Sequence, residues 1–325
     1  MKDEKSASSN FSLSFDAAIF GLIVADLIAE PMDLRHPPAA GGLAKLNSLQ
    51  LATGGNVCNV AIAMAKLGSR VAAAGVVGDD TLGAAMIEKI GAAGVDTSHV
   101  NRIQGGQTSA TVVAVEPGGE RCFFHTPGVC SNLDSAAFEK CFDLFAQCEI
   151  VQVGYFGLLP KLTPVLPELL VELKRRAPGL SVAFDTVNPP AKAELLWPIL
   201  KHVDIFCPSR TEAMAVTGET NPAKMISAFR RWMPNGLIGI KLDSEGCLLD
   251  DCNERVMVPA YKVNVVDTTG AGDTWFAGLL VGLQRDMPLE QIGRLANRAA
   301  ADCCTAFGAS AGVRSLDETM ARMAS

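Results

Sequence analysis

Four short apolar runs, 149–153, 182–185, 203–206 and 237–241, are separated by segments of helical character, and this alternation constrains the fold more than any other feature. Strands that alternate with helices predict a parallel sheet with helices on both faces. Ligands of such sheets gather beyond the carboxyl ends of the strands. The composition suits this arrangement. Half of the 325 residues are hydrophobic (49%) and only 6% are aromatic. An interior rich in Ala, Gly, Val and Leu lets helix and strand approach closely.

Before residue 149 the pattern is richer. Residues 17–25 read as a buried strand, and residues 31–53 are rich in Pro, Gly and polar side chains. Next comes Gly54-Gly-Asn-Val-Cys-Asn59, followed by apolar residues at Val57, Val60, Ala61, Met64 and Leu67, a helical spacing that Gly68 ends. Residues 71–77 predict a strand and 82–90 a helix. Residues 109–115 and 121–124 predict two strands joined by Pro117-Gly-Gly-Glu120, a turn suited to a hairpin. With residues 31–53, this hairpin predicts a small β unit apart from the main sheet.

The net charge of −7, without long basic runs, gives no footprint for nucleic acid. The polar stretch 1–13 reads as a disordered tail, and the apolar stretch 17–29 is too short for a membrane span and carries Asp26. Ten scattered cysteines without a C-x-x-C pair read as reduced, buried thiols, which points to the cytoplasm. The four histidines show no metal-ligand spacing.

The chemistry is concentrated in Asp267-Thr-Thr-Gly-Ala-Gly-Asp273, expected between a strand at 263–266 and an apolar helix at 274–283. Its glycines let backbone N–H groups converge at a helix N-terminus, which is a ready anion site. Asp273 falls at the helix start. It could take a proton from a hydroxyl while the turn holds a phosphoryl group, or it could merely offset the helix dipole. The chain has no G-x-x-x-x-G-K-[ST] string, and no G-x-G-x-x-G follows the first strand, which disfavours a dehydrogenase.

DTTGAGDTWFAGLL at 267–280 closely resembles the C-terminal signature of ribokinase-like (PfkB) carbohydrate kinases. GGNVCNVAIAMAKLG at 54–68 resembles their N-terminal signature, and residues 75–100 also read like this family. The likeness covers nearly the whole chain after about residue 14. It implies one kinase domain over 14–325, an α/β three-layer sandwich with a mostly parallel sheet. It also implies a small β-sheet lid from segments at about 31–53 and 105–125.

The resemblance implies an ATP-dependent sugar kinase with Asp273 as the catalytic base and Gly270, Ala271 and Gly272 as the anion hole. Asp26, Gly54, Gly55 and Asn59 would bind the sugar, and Lys241, Asp243, Gly246 and Asn297 the nucleotide. Asn56 stands where ribokinase itself has Lys, which weakens a ribose-specific reading. Glu212 would help organise Mg²⁺ indirectly, although Ser209 replaces the usual Asn of that motif. Asp267 and Thr269 would hold a monovalent cation such as K⁺, completed by carbonyls of the loop 306–312. Arg121 is either a solvated strand residue or a group reaching an acidic or phosphorylated substrate. His125 is either a substrate contact or a bystander. Asp185 and Asn188 either contact substrate or phosphates, or serve the turn before Pro189. A homodimer through the lid is expected. The alternatives are a nucleoside kinase of the adenosine type and a non-catalytic sugar-binding relative.

Overall fold

The computed structural model describes residues 13–187 and 193–324. The tail expected at 1–13 falls outside these residues except for Leu13, and Asn188 lies outside them as well.

Among the described residues thirteen strands form two sheets. In chain order they are β1 (Phe15–Gly21), β2 (Val24–Glu30), β3 (Ser48–Gly54), β4 (Val71–Gly78), β5 (Asp96–Ile103), β6 (Ser109–Val115) and β7 (Arg121–Thr126). They continue with β8 (Cys148–Phe156), β9 (Ser181–Thr186), β10 (Ile205–Phe206), β11 (Leu237–Lys241), β12 (Cys247–Asp250) and β13 (Arg255–Val258). The large sheet has the order β13-β12-β11-β10-β9-β8-β1-β4-β5, and the small one β3-β2-β6-β7. All neighbours from β5 to β11 in the large sheet pair in parallel, and β12 and β13 add an antiparallel hairpin at one edge.

Strand β1 is buried on both faces, which is why it reads as an unbroken apolar run. Ala17 and Ile19 face a layer made by the helices Gly55–Lys66, Ala271–Gln284 and Leu289–Cys303. Ala18 and Phe20 face the opposite layer, where Phe20 meets the ring of Phe138 edge-on at 5.0 Å between centroids. Full burial of a side chain such as Phe20 contributes about 1.5–3 kcal/mol. The chain leaves β1 toward β4 on one side and reaches β8 on the other. The gap beyond the carboxyl ends of β1 and β8 is therefore the switch point at which such sheets bind ligands.

Three expectations are corrected. The run 17–25 is two strands in two sheets, because the chain bends at Leu22. There Asn56 accepts from the Leu22 amide at 2.8 Å and donates to the Phe20 carbonyl at 3.0 Å. Lid strand β2 thus begins at Val24, and Asp26 lies on the lid itself rather than on a loop after the first strand. Residues 263–266 are not a strand: Val265 and Val266 are exposed, and this segment is tied only by amides of Val266 and Asp267 to the Cys304 carbonyl. The β12–β13 hairpin and strand β5 were not foreseen. Among the described residues no helix is long and apolar enough to cross a membrane.

Candidate active site

The helix Ala271–Gln284 begins inside the glycine turn. Gly270 caps it with φ +72°, a left-handed conformation that glycine alone adopts without strain, and a Cβ there would lie 2.4 Å from that of Ala309. The Ala271 amide turns back to the Thr268 carbonyl at 3.2 Å. The amides of Gly272 and Asp273 belong to the first turn, where a helix supplies no acceptor of its own. The three residues expected to bind an anion, Gly270, Ala271 and Gly272, thus form a helix N-terminus with its partial positive charge.

Asp273 is buried at the start of this helix. Its Oδ2 accepts from Asn59 Nδ2 at 2.8 Å, and the Tyr155 hydroxyl stands 2.7 Å from both carboxylate oxygens. Burial pushes its carboxyl above the usual range, against the two hydrogen bonds and the charge of Lys241. A raised carboxylate is the stronger base. Asn59 Oδ1 is buried without a hydrogen-bond partner among the described residues. An unpaired buried acceptor is costly and is readily satisfied by a ligand hydroxyl.

Lys241, at the end of β11, brings a positive charge to the turn. Its Nζ lies 3.3 Å from Asp185 Oδ1 and 3.7 Å from the place a Cβ on Gly272 would take. Burial works to lower its pKa, but Asp185, Glu212 and Asp273 outweigh it and keep the amine charged. Asp185, at the end of β9, is pushed up to about 7 by burial, with Lys241 opposing and Glu212 and Asp273 adding to the rise. Glu212 is buried beside this pair and completes a capping box with Ser209. Its Oε2 accepts from the Ser209 amide at 2.8 Å and from Thr186 Oγ1 at 2.9 Å.

Three of the residues expected to bind the sugar, Asp26, Gly54 and Gly55, meet where β2 and β3 of the small sheet pair. Gly54 ends β3 opposite Val24, two residues before Asp26 on β2, and a Cβ at Gly54 would stand 2.2 Å from Asp26 Oδ2. Gly55 opens the next helix at φ +81°, with the Leu22 carbonyl 2.3 Å from where its Cβ would be. Burial raises the Asp26 carboxyl to about 6, partly offset by a hydrogen bond from Thr111. Asp26, Glu30, Gln50, Arg121 and Thr269 line a partly enclosed cleft of about 130 Å³. Arg121 is not a solvated strand residue: its guanidinium bonds Asp267 Oδ1 and Thr269 Oγ1. Burial would raise Asp267, but Arg121 and the amides of Gly308 and Thr269 hold its carboxyl at about 2.

Other expected residues lie further out. Asp243 is exposed in a short turn at φ +53° that ends at buried Gly246. Asn297 is buried, accepting from Trp275 Nε1 at 2.8 Å and donating to the carbonyls of Val258 and Pro259 at 3.0 Å. Its amide is thus spent on packing the end of β13 against two helices. Asn56 is likewise structural, since it also donates to Gln152 Oε1 at 3.0 Å and so ties β1 to β8. His125 faces solvent and pairs with Thr111 Oγ1 at 3.1 Å. Tyr155 was missed, because a single aromatic residue at the end of a buried strand reads as core. Glu30 and Gln50 were missed because nothing in their spacing marks them.

Among the described residues no group of three or more His, Cys, Asp or Glu could hold a metal ion. The donors fit a Mg²⁺ that arrives on phosphates and keeps its waters, with Glu212 and Asp185 near it, better than a cage built by the protein.

Known proteins resemble this chain in sequence and in fold. Rice (Oryza sativa subsp. japonica) fructokinase-1 is 30% identical over 295 residues, which span 84% of this chain and 89% of that protein. Haemophilus influenzae ribokinase is 27% identical over 279 residues, 83% and 87% of the two chains. The structure of Arabidopsis thaliana ribokinase complexed with ribose and ATP superposes with a TM-score of 0.81 at 22% identity, covering 95% of this chain and 98% of that one. Residues 15–316 match the profile of the pfkB family of carbohydrate kinases. The chain belongs to that family and is a sugar kinase of the ribokinase-like fold.

Proposed function

We propose that this protein transfers the γ-phosphoryl group of ATP to a hydroxyl of a sugar, with Asp273 as the base. The observation that carries the reading is the setting of Asp273: a buried carboxylate, raised by burial, at a helix N-terminus that faces a charged lysine. Asp26 and the unpaired Asn59 Oδ1 take sugar hydroxyls and turn the reacting one toward Asp273. The hydroxyl proton passes to the Asp273 carboxylate as the oxygen forms its bond to the γ-phosphorus. The bond from that phosphorus to the β,γ-bridging oxygen breaks, and ADP leaves with the electron pair. The Gly272 and Asp273 amides and Lys241 stabilise the charge on the transferring group, which is the main catalytic contribution in such reactions. Glu212 would help hold a Mg²⁺, which when bound would further neutralise the charge on the phosphates. Lys241 and the turn ending at Gly246 form the nucleotide side.

A panel of pentoses, hexoses and nucleosides, assayed with ATP and Mg²⁺ for ADP release, tests this. Sugar turnover is expected, and turnover confined to nucleosides would assign the protein to the adenosine-type alternative. Sugar binding without phosphate transfer would support the non-catalytic reading.

Two further readings belong here. The edge strand β7 of the lid exposes Phe123 and Phe124, which supports pairing of two lids in a homodimer, to be tested by sedimentation. All ten cysteines are free, which supports a reducing, cytoplasmic setting.

A further inference from the structure

Arg121 stands at the start of β7 in the lid, and its guanidinium reaches across the cleft to Asp267 and Thr269 in the anion turn. Among the described residues this is the one ion pair between the lid sheet and that turn. Asp267 and Thr269 are also the pair that resemblance assigns to a monovalent cation. The donor set around them does not fit a free ion. Asp267 Oδ1 already accepts from the Thr269 amide at 2.7 Å as well as from Arg121, and Oδ2 accepts from the Gly308 amide at 2.9 Å. The loop 306–312 therefore offers this carboxylate an N–H where an ion would need a carbonyl. The Ala309 carbonyl is turned toward Cys303 Sγ at 3.2 Å and Thr274 Oγ1 at 3.4 Å. A second positive charge beside a guanidinium that shares both oxygens would be repelled.

The geometry points to Arg121 as a tethered cation: it fills the place of a free monovalent ion and brings that charge to the anion turn only when the lid covers the cleft. Lid closure and completion of the turn are then one event, and phosphoryl transfer proceeds without added K⁺. Arg121 is a positioning residue, acting through Asp267 and Thr269 on Gly270 to Asp273. The inference rests on the kinase reading for its catalytic half only.

The test compares wild type, Arg121→Met and Arg121→Lys with ATP, Mg²⁺ and the best sugar of the panel. Rates are measured in KCl and in tetramethylammonium chloride at equal ionic strength. The wild-type rate is expected to be equal in the two salts. In tetramethylammonium, Arg121→Met should fall by at least about tenfold, the scale of one charge-assisted hydrogen bond, while Arg121→Lys falls less. KCl should not restore the Arg121→Met rate, because the Thr269 and Gly308 amides still occupy Asp267 and the Ala309 carbonyl still faces Cys303 and Thr274. A wild type activated by K⁺, an Arg121→Met with full rate in tetramethylammonium, or one that K⁺ restores would each overturn the inference. Amide exchange without any ligand gives a separate readout. Arg121→Met should speed exchange in 121–126 and in 267–273 together, and unchanged exchange would overturn the link between lid and turn. This readout needs no sugar, so a panel without turnover sinks the kinase reading and leaves the latch to be judged alone.

Discussion

Gly54→Ala isolates the role of Asp26. The backbone at Gly54 is extended, with φ −140° and ψ 175°, a conformation alanine adopts freely. The added Cβ would stand 2.2 Å from Asp26 Oδ2, whereas ordinary contact begins near 3.4 Å, so the carboxylate must retreat by about 1.2 Å (3.4 − 2.2). A hydrogen bond to a sugar hydroxyl at about 2.8 Å would then stretch beyond useful length. One lost hydrogen bond to a charged acceptor costs about 1.5–3 kcal/mol, which raises the sugar KM roughly ten- to hundredfold. The fold should not suffer. The backbone conformation suits alanine, and the gain of about 0.4–1 kcal/mol from restricting the unfolded chain is set against the cost of displacing the Asp26 carboxyl, so the melting temperature should change little. The assay is steady-state kinetics against sugar at saturating ATP, beside a melting curve. A variant with unchanged sugar KM and unchanged melting temperature would refute the assignment of Asp26 to the sugar. The same carboxyl gives a pH signature. Its pKa is raised to about 6 by burial, so the wild-type sugar KM should rise as the pH falls below that value. Its effect on stability has the opposite sign. A folded pKa above the unfolded one stabilises the protein at acid pH, and this contribution is lost as the pH rises through about 6.

Asp273→Asn should lower turnover by about 10²–10⁴ with little change in sugar KM. Because burial disfavours the charge at this position, its melting temperature should not fall, and a variant with near-normal turnover would remove Asp273 from the mechanism. Tyr155→Phe takes away a donor that favours the ionised form of Asp273, so the acid limb of kcat/KM should move to higher pH, and an unmoved limb would show that the contact is idle. Lys241→Met leaves Asp185 buried without its counter-charge, at a cost of up to about 3–5 kcal/mol. Since the Asp185 carboxyl already sits at about 7, the loss in melting temperature should be larger above that pH than below it, and equal losses on both sides would contradict the pairing.

The parallel sheet was legible because strands buried on both faces leave unbroken apolar runs, as at 182–184 and 237–240. The break between β1 and β2 was hidden because the residues around it are all apolar, and what bends the chain is the amide of Asn56, more than thirty positions away. The β12–β13 hairpin escaped notice because its strands have four residues each and one carries Asp250, held by Arg230 and Arg255. The anion turn could be read locally, since glycines, acid and helix start lie within seven residues. Tyr155 and Arg121 could not, because each acquires its meaning from a partner 118 and 146 positions away. The Ser209-x-x-Glu212 spacing has a local reading as well, a helix capping box, and the structure shows that box formed.

Asn59, Tyr155 and Asp273 meet at one carboxylate, although 214 residues separate the first from the last. No fragment of the chain that ends before the helix Ala271–Gln284 contains Asp273 or the complete turn Asp267–Asp273. During synthesis the lid and the whole sugar side therefore emerge from the ribosome well before the group that would act on a sugar. Contacts at such separation also form late and slowly in folding. Activity should thus appear as a single step at the end of maturation, and a premature stop anywhere before residue 271 should yield a protein without catalysis rather than one with reduced catalysis.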